Sequence, residues 1–193
     1  MRVQALFLDR DGVVNVDTGY AHRPEQIRFV DGIFELAAAA TRYGYKIFTI
    51  TNQAGIGRGY YTEQAFQILM DWISERFAET GGTIERTYFC PHHPKHGVGK
   101  YRRLCECRKP APGMLLEAAR DYDIDLARSI FVGDKQSDMA AGQQAGVGTL
   151  LYIGDELDFQ PDIKLTSPVE AIAYLHAGNG THSSLPLYSD TAP

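Results

Sequence analysis

Two groups of residues in this 193-residue chain carry chemistry. The first is rich in oxygen. Asp9 and Asp11 follow an apolar run at 3–8, Thr51 and Asn52 close another at 45–50, and Asp134 and Asp138 follow a third at 129–132. Carboxylates are ligands for a hard cation, and Asp9 and Asp134 are placed to converge on magnesium. The second group is rich in sulfur. Cys90 and His92 form one close pair, and Cys105 and Cys107 form another. Three thiolates and one imidazole make a closed tetrahedral shell suited to structural zinc, because catalytic zinc keeps an open position. Residue chemistry alone leaves the imidazole open, since His93 adjoins His92 and His96 is near. Arg58, Arg108 and the basic stretch 95–103 are candidates for a phosphate, whose oxygen pairs match the arginine fork. Arg58 reads equally as a solvated loop residue, and Asn52 as a donor to a sugar or phosphoryl oxygen.

These residues must be positioned by alternating elements. Apolar and β-branched runs predict strands at 3–8, 45–50, 84–89, 129–132 and 147–153. Apolar residues at helical spacing predict helices at 32–43, 62–79, 112–122, 136–145 and 168–175. Between them lie a glycine-rich loop (Gly55, Gly57, Gly59) and an aperiodic segment at 90–110 that holds every cysteine. Strands alternating with helices predict a three-layer α/β sandwich around a central, mainly parallel sheet. In such sheets ligands bind beyond the carboxyl ends of the strands, where the oxygen-rich group falls. The interval 12–32 is too short for a capping domain, and 55–84 reads mostly as one helix. One domain is therefore expected over 1–177, with a zinc loop at 90–109 and a loose Gly/Ser/Thr/Pro-rich tail at 178–193.

Composition narrows the class. With 44% hydrophobic and 22% charged residues the chain is an ordinary globular one. Nineteen basic against 24 acidic residues give a net charge of -5, a poor match to a nucleic-acid backbone. No apolar run is long enough for a membrane helix, and residues 1–9 lack the pattern of a signal peptide. Three cysteines without a leader fit a reducing compartment, hence the cytoplasm. No helical face is left conspicuously apolar, so a monomer acting on a small molecule is expected.

The segment Asp9-Arg10-Asp11-Gly12-Val13-Val14-Asn15 resembles the first motif of the haloacid-dehalogenase-like (HAD-like) phosphatases. Thr51, Lys109 and Gly133-Asp134-Lys135-Gln136-Ser137-Asp138 match the later motifs in order. The resemblance implies a Rossmann-like core. Asp9 would be the nucleophile that becomes an aspartyl phosphate, and Asp11 the general acid and base. Thr51 would donate to a phosphoryl oxygen and Lys109 would supply fixed positive charge. Asp9, the backbone carbonyl of Asp11, and Asp134 would hold magnesium. Lys135 would contact substrate. Asp138 would either hold Lys109 or cap the following helix.

The Cys-x-His…Cys-x-Cys loop resembles the zinc-loop branch of that family, the heptose bisphosphate 7-phosphatases and the histidinol-phosphatases. Both carry the loop before an Arg-Lys-Pro like Arg108-Lys109-Pro110. That resemblance selects His92 as the zinc ligand. The 12-residue interval from His92 to Cys105 favours the heptose enzymes, whose substrate is a sugar bisphosphate. Histidinol phosphate is the alternative substrate, and a non-enzymatic, zinc-stabilised phosphosugar-binding module the alternative of another class.

Overall fold

The computed structural model describes residues 2–155 and 160–176, so the expected tail at 178–193 lies outside the described residues. Five strands form one parallel sheet: β1 (Ala5–Leu8), β2 (Lys46–Asn52), β3 (Ile84–Cys90), β4 (Ile130–Gly133) and β5 (Thr149–Tyr152). Their spatial order is β3-β2-β1-β4-β5, so the order reverses between β1 and β4.

Every residue of β1 is buried, as expected for a central strand covered on both faces. Alternate side chains divide the core. Leu6, Leu8, Ile47, Ile130 and Val132 pack with α1 (Ile33–Arg42) and α3 (Glu63–Glu79) through Leu36, Phe66, Ile73 and Phe77. Phe7, Phe48, Ile50 and Phe131 pack on the opposite face with α4 (Gly113–Tyr122) and α5 (Gln136–Ala145) through Met114, Leu115 and Ala141. The result is the expected three-layer sandwich. The chain from β1 to α1 holds only a 3₁₀ turn at Pro24–Gln26, and that from β2 to β3 holds only helices, so no cap domain is inserted.

Three elements depart from expectation. β2 runs two residues further, so Thr51 and Asn52 are strand residues opposite Phe89 and Cys90 of β3. The glycine-rich loop begins as a short helix, α2 (Ala54–Gly57), because Ile56 is drawn into the core and Gly57 accepts from the Val98 N–H at 2.8 Å. Burial and that tertiary bond override the low helix propensity of glycine. The last helix is a 3₁₀ coil, Pro168–Tyr174. Its buried residues Pro168 and Ala171 are three apart, and side chains three apart eclipse at that pitch. Among the described residues no helix is long and apolar enough to cross a membrane.

Candidate active site and zinc-type cluster

The oxygen-rich residues meet beyond the carboxyl ends of β1, β2 and β4, around a cleft of about 320 Å³. Asp9 leaves β1 with its N–H on the Val132 carbonyl of β4 at 3.0 Å, which sets it at the strand-order reversal. Lys109 reaches this point from the far end of the cysteine loop. Its Nζ lies 2.8 Å from Asp9 Oδ1, 2.6 Å from Asp138 Oδ1 and 2.8 Å from the Ile50 carbonyl. All three side chains are buried. Burial works to lower the Lys109 pKa, but the Asp138 and Asp9 carboxylates together hold it above its ordinary value. The ammonium is therefore a permanent charge beside Asp9.

Asp138 both holds Lys109 and caps a helix. Oδ1 takes the ammonium, and Oδ2 accepts the Lys135 backbone N–H at 3.0 Å, closing the first turn of α5. Asn52 clamps the Lys109 backbone, donating to its carbonyl at 3.1 Å and accepting from its N–H at 3.0 Å. The Asn52 amide thus sets the position of Lys109, while the residue also lines the cleft.

Oxygens of Asp9, Asp134 and Asp138 lie within 4.8 Å of one another. Burial, with the Asp9 carboxylate next, pushes Asp134 up to about 8. Burial raises Asp9 as well. Asp134 Oδ1 is buried without a hydrogen-bond partner among the described residues. A divalent cation would relieve the repulsion between Asp9 and Asp134 and occupy that oxygen, so the donor set fits magnesium. Gly12 makes this approach possible. It has φ +98°, and a Cβ there would sit 2.1 Å from Asp134 Oδ2. Gly12→Ala is therefore expected to displace Asp134 and weaken magnesium binding at least tenfold, as titration calorimetry would show. Unchanged affinity would exclude this packing role.

The Asp11 side chain lies outside the carboxylate cluster. It accepts from Arg10 Nη2 at 2.7 Å to each oxygen, from Asn15 Nδ2 at 3.1 Å and from Gln53 Nε2 at 3.2 Å. Among the described residues Arg10 is the largest fully buried side chain, and its guanidinium lies over the Phe66 ring. Arg10, Gln53 and Tyr61 also line the cleft, and no reading of the sequence marked them. The doublet Asn52-Gln53 at a strand end was the one available signal; Tyr61 gave none.

Lys135 lines the cleft, with Nζ 3.1 Å from Asp17 Oδ2 and 3.6 Å from Asp134 Oδ2. Arg58 and Arg108 are not brought to Asp9. Arg58 lies over the ring of Tyr20 at the cleft wall, and Arg108 donates to the His92 carbonyl at 3.2 Å.

The cysteines converge as the spacing requires. Cys90 closes β3, and its Sγ lies 3.0 Å from Cys107 and 3.5 Å from Cys105. Cys105 and Cys107 are 3.3 Å apart, and His92 Nδ1 stands 3.3 Å from Cys107 and 3.6 Å from Cys90. No disulfide links them. Contact with Cys90 pulls the Cys107 thiol down to about 5, the thiolate character a metal ligand needs. Four soft donors at these separations, with one thiol readily ionised, fit zinc. His93 is outside the cluster, and its Nδ1 accepts the N–H groups of Lys95 and His96 at 3.2 and 3.1 Å.

A parallel sheet with a buried lysine and paired carboxylates at its reversal point defines a HAD-like hydrolase, and a family model described as HAD-hyrolase-like matches residues 106–159. The chain is 56% identical over 155 residues, 80% of its length and 82% of the relative's, to a D-glycero-alpha-D-manno-heptose-1,7-bisphosphate 7-phosphatase of Burkholderia mallei. It is 48% identical over 153 residues, 79% and 82% of the two lengths, to a D-glycero-beta-D-manno-heptose-1,7-bisphosphate 7-phosphatase of Vibrio cholerae. It also superposes with a TM-score of 0.78 on a D,D-heptose 1,7-bisphosphate phosphatase of B. bronchiseptica complexed with magnesium and phosphate, at 30% identity and covering 90% and 98% of the two chains. The chain belongs to the heptose 1,7-bisphosphate 7-phosphatase family of the HAD-like hydrolases.

Proposed function

We propose that this chain hydrolyses the 7-phosphate of D-glycero-D-manno-heptose 1,7-bisphosphate and leaves heptose 1-phosphate. The observation that carries the chemistry is the buried Lys109 ammonium 2.8 Å from Asp9, in one cluster with Asp134 and Asp138. Asp9 attacks phosphorus, the bond from phosphorus to the sugar O7 breaks, and Asp11 gives that oxygen its proton. Asp11 then takes a proton from water as the water attacks the aspartyl phosphate. The bond from phosphorus to Asp9 breaks and inorganic phosphate leaves. Lys109 and the Thr51 hydroxyl hold the phosphoryl oxygens as they gather charge. Magnesium, held by Asp9, Asp134 and the backbone carbonyl of Asp11, supplies charge neutralisation and in-line orientation. Zinc on Cys90, His92, Cys105 and Cys107 holds the loop that leads into Arg108 and Lys109. The phosphate on C1 is met by Arg58, Arg108 and the basic loop, with Lys135 and Asn52 at the cleft. The phosphatase unit spans 1–177 and works as a cytoplasmic monomer on a small phosphosugar.

Phosphate release with magnesium present tests this directly. Both anomers of the heptose bisphosphate and histidinol phosphate are assayed side by side. The expected result is a kcat/KM for one heptose anomer at least about 100-fold above that for histidinol phosphate. A preference for histidinol phosphate would overturn the substrate. Binding of a phosphosugar without turnover would instead support a non-enzymatic module.

A further inference from the structure

We propose that Gln53 and Tyr61 are positioning residues that act as one unit, orienting the catalytic groups Asp11 and Thr51 together. The inference rests on the roles given above to those two groups. A single amide nitrogen spans them. Gln53 Nε2 donates to Asp11 Oδ2 at 3.2 Å and to Thr51 Oγ1 at 2.9 Å. The two hydrogens of the NH₂ group account for both bonds. Because Thr51 Oγ1 accepts from Gln53, its own O–H is left to point at an incoming phosphoryl oxygen. The same amide adds a donor to Asp11 Oδ2, which it shares with Arg10, while Arg10 and Asn15 hold Oδ1.

The arrangement works only if the amide cannot turn over. Rotated by half a turn, Gln53 would set its carbonyl oxygen against the Asp11 carboxylate and accept the Thr51 O–H, drawing that hydroxyl away from the substrate. Tyr61 forbids this, since its hydroxyl donates to Gln53 Oε1 at 2.6 Å. Burial pushes the Tyr61 phenol up to about 12, so it keeps the proton it donates across the working range of pH. Gln53 is 1% exposed, so water does not compete for its amide.

The scaffold holds both members rigidly. The Gln53 backbone N–H donates to the Cys90 carbonyl at 2.8 Å, tying its main chain to the end of β3. The Tyr61 ring stacks on His22, with centroids 4.9 Å apart and planes 8° from parallel. Beneath the ring lies Gly55, where a Cβ would come within 2.3 Å of the Tyr61 Cε1 atom. Tyr61 is thus clamped between the loop after β1 and the first turn of α2, and its hydroxyl has one place to go.

The test is a double-mutant cycle on kcat and KM with magnesium present. The enzymes compared are wild type, Gln53→Leu, Tyr61→Phe and the double variant, with Gln53→Glu beside them. Tyr61→Phe removes one oxygen and is expected to lower kcat about tenfold, with KM within about twofold. Gln53→Leu is expected to lower kcat about 100-fold, and the double variant to be no worse than Gln53→Leu alone. Gln53→Glu matches the shape of Gln53 but lacks the NH₂ group, and is expected to be as poor as Gln53→Leu. Multiplicative losses in the double variant, full activity in Gln53→Glu, or a change in KM alone would each overturn the unit. Should Gln53→Leu fail to fold, Tyr61→Phe and Gln53→Glu decide by the same criteria. A wild type that is inactive on the sugar bisphosphate but hydrolyses p-nitrophenyl phosphate would refute the substrate assignment only, and the cycle is then run on that ester. A wild type inactive on every phosphomonoester would refute both.

Discussion

Asp9→Asn is expected to lower phosphate release by about 10⁴-fold or more while leaving the protein folded. The amide keeps the shape of the carboxylate but has no charge with which to attack phosphorus. Neither Asp138 nor Asp134 is free to replace it, because Asp138 is taken up by Lys109 and the helix cap, and the Asp134 carboxylate would be engaged as a ligand of the cation. The separation of activity from stability is the informative part. In the metal-free protein the Asp9 carboxylate is buried beside Asp134 and Asp138, and burial raises its pKa. Removing one of three crowded carboxylates relieves repulsion, while the Asp138 and Ile50 bonds keep Lys109 in place. The melting temperature of the metal-free variant is therefore expected to fall by no more than about 4 °C, roughly 1 kcal/mol for a chain of this size. Stopped turnover with an unchanged melting curve supports the nucleophile. Residual activity within tenfold of wild type would sink that assignment.

The second large effect is expected at the sulfur cluster. Cys107→Ala should bring the zinc content of purified protein from about one ion per chain to none, read by atomic emission. The Cys107 sulfur lies within 3.3 Å of each of the other three donor atoms, so no other single substitution opens the shell as completely. Structural zinc contributes about 10 kcal/mol or more in small sites, and even a fraction of that is large against the stability of one domain. Residues 91–108 contain no strand and only one short 3₁₀ turn, at Gly99–Tyr101, and most of their backbone bonds gather at 93–103, away from Cys105 and Cys107. Activity should fall less than in Asp9→Asn, by about 10- to 100-fold, because Lys109 has its own anchors. The Asn52 clamp fixes its backbone, and three oxygens hold its ammonium, with or without zinc. An unchanged zinc stoichiometry would refute Cys107 as a ligand. Zinc loss with full activity would refute the link between loop and lysine.

Much of this molecule was legible as sequence because its signals are local. The fully buried β1 reads as an unbroken apolar run. Helix α3 announces its start, where the Thr62 hydroxyl accepts the Ala65 N–H at 3.0 Å. The short ligand spacings Cys-x-His and Cys-x-Cys constrain geometry within a few residues, so the soft donors could be named before any fold was known. Local signals also misplace ends. β2 was read as stopping at residue 50, but its last two residues are held by pairing to β3, a partner more than 30 residues away.

What only the tertiary structure decided is which of several equivalent groups faces which. Residue chemistry left His92 and His93 open and the family resemblance chose His92; the structure adds that His93 Nδ1 is taken by a backbone turn of its own. Asp138 performs two tasks because Lys109 arrives from another strand's loop just where α5 begins. Asn52 meets the Lys109 backbone across 57 residues, and Gln53 meets Asp11 across 42. The sequence by itself determined the types of the donors and acceptors and the strand ends on which they sit, since those follow from local periodicity. Their pairing depends on sheet order and register, which bring distant segments within 3 Å, and a hydrogen bond formed at that range leaves no local trace in the chain.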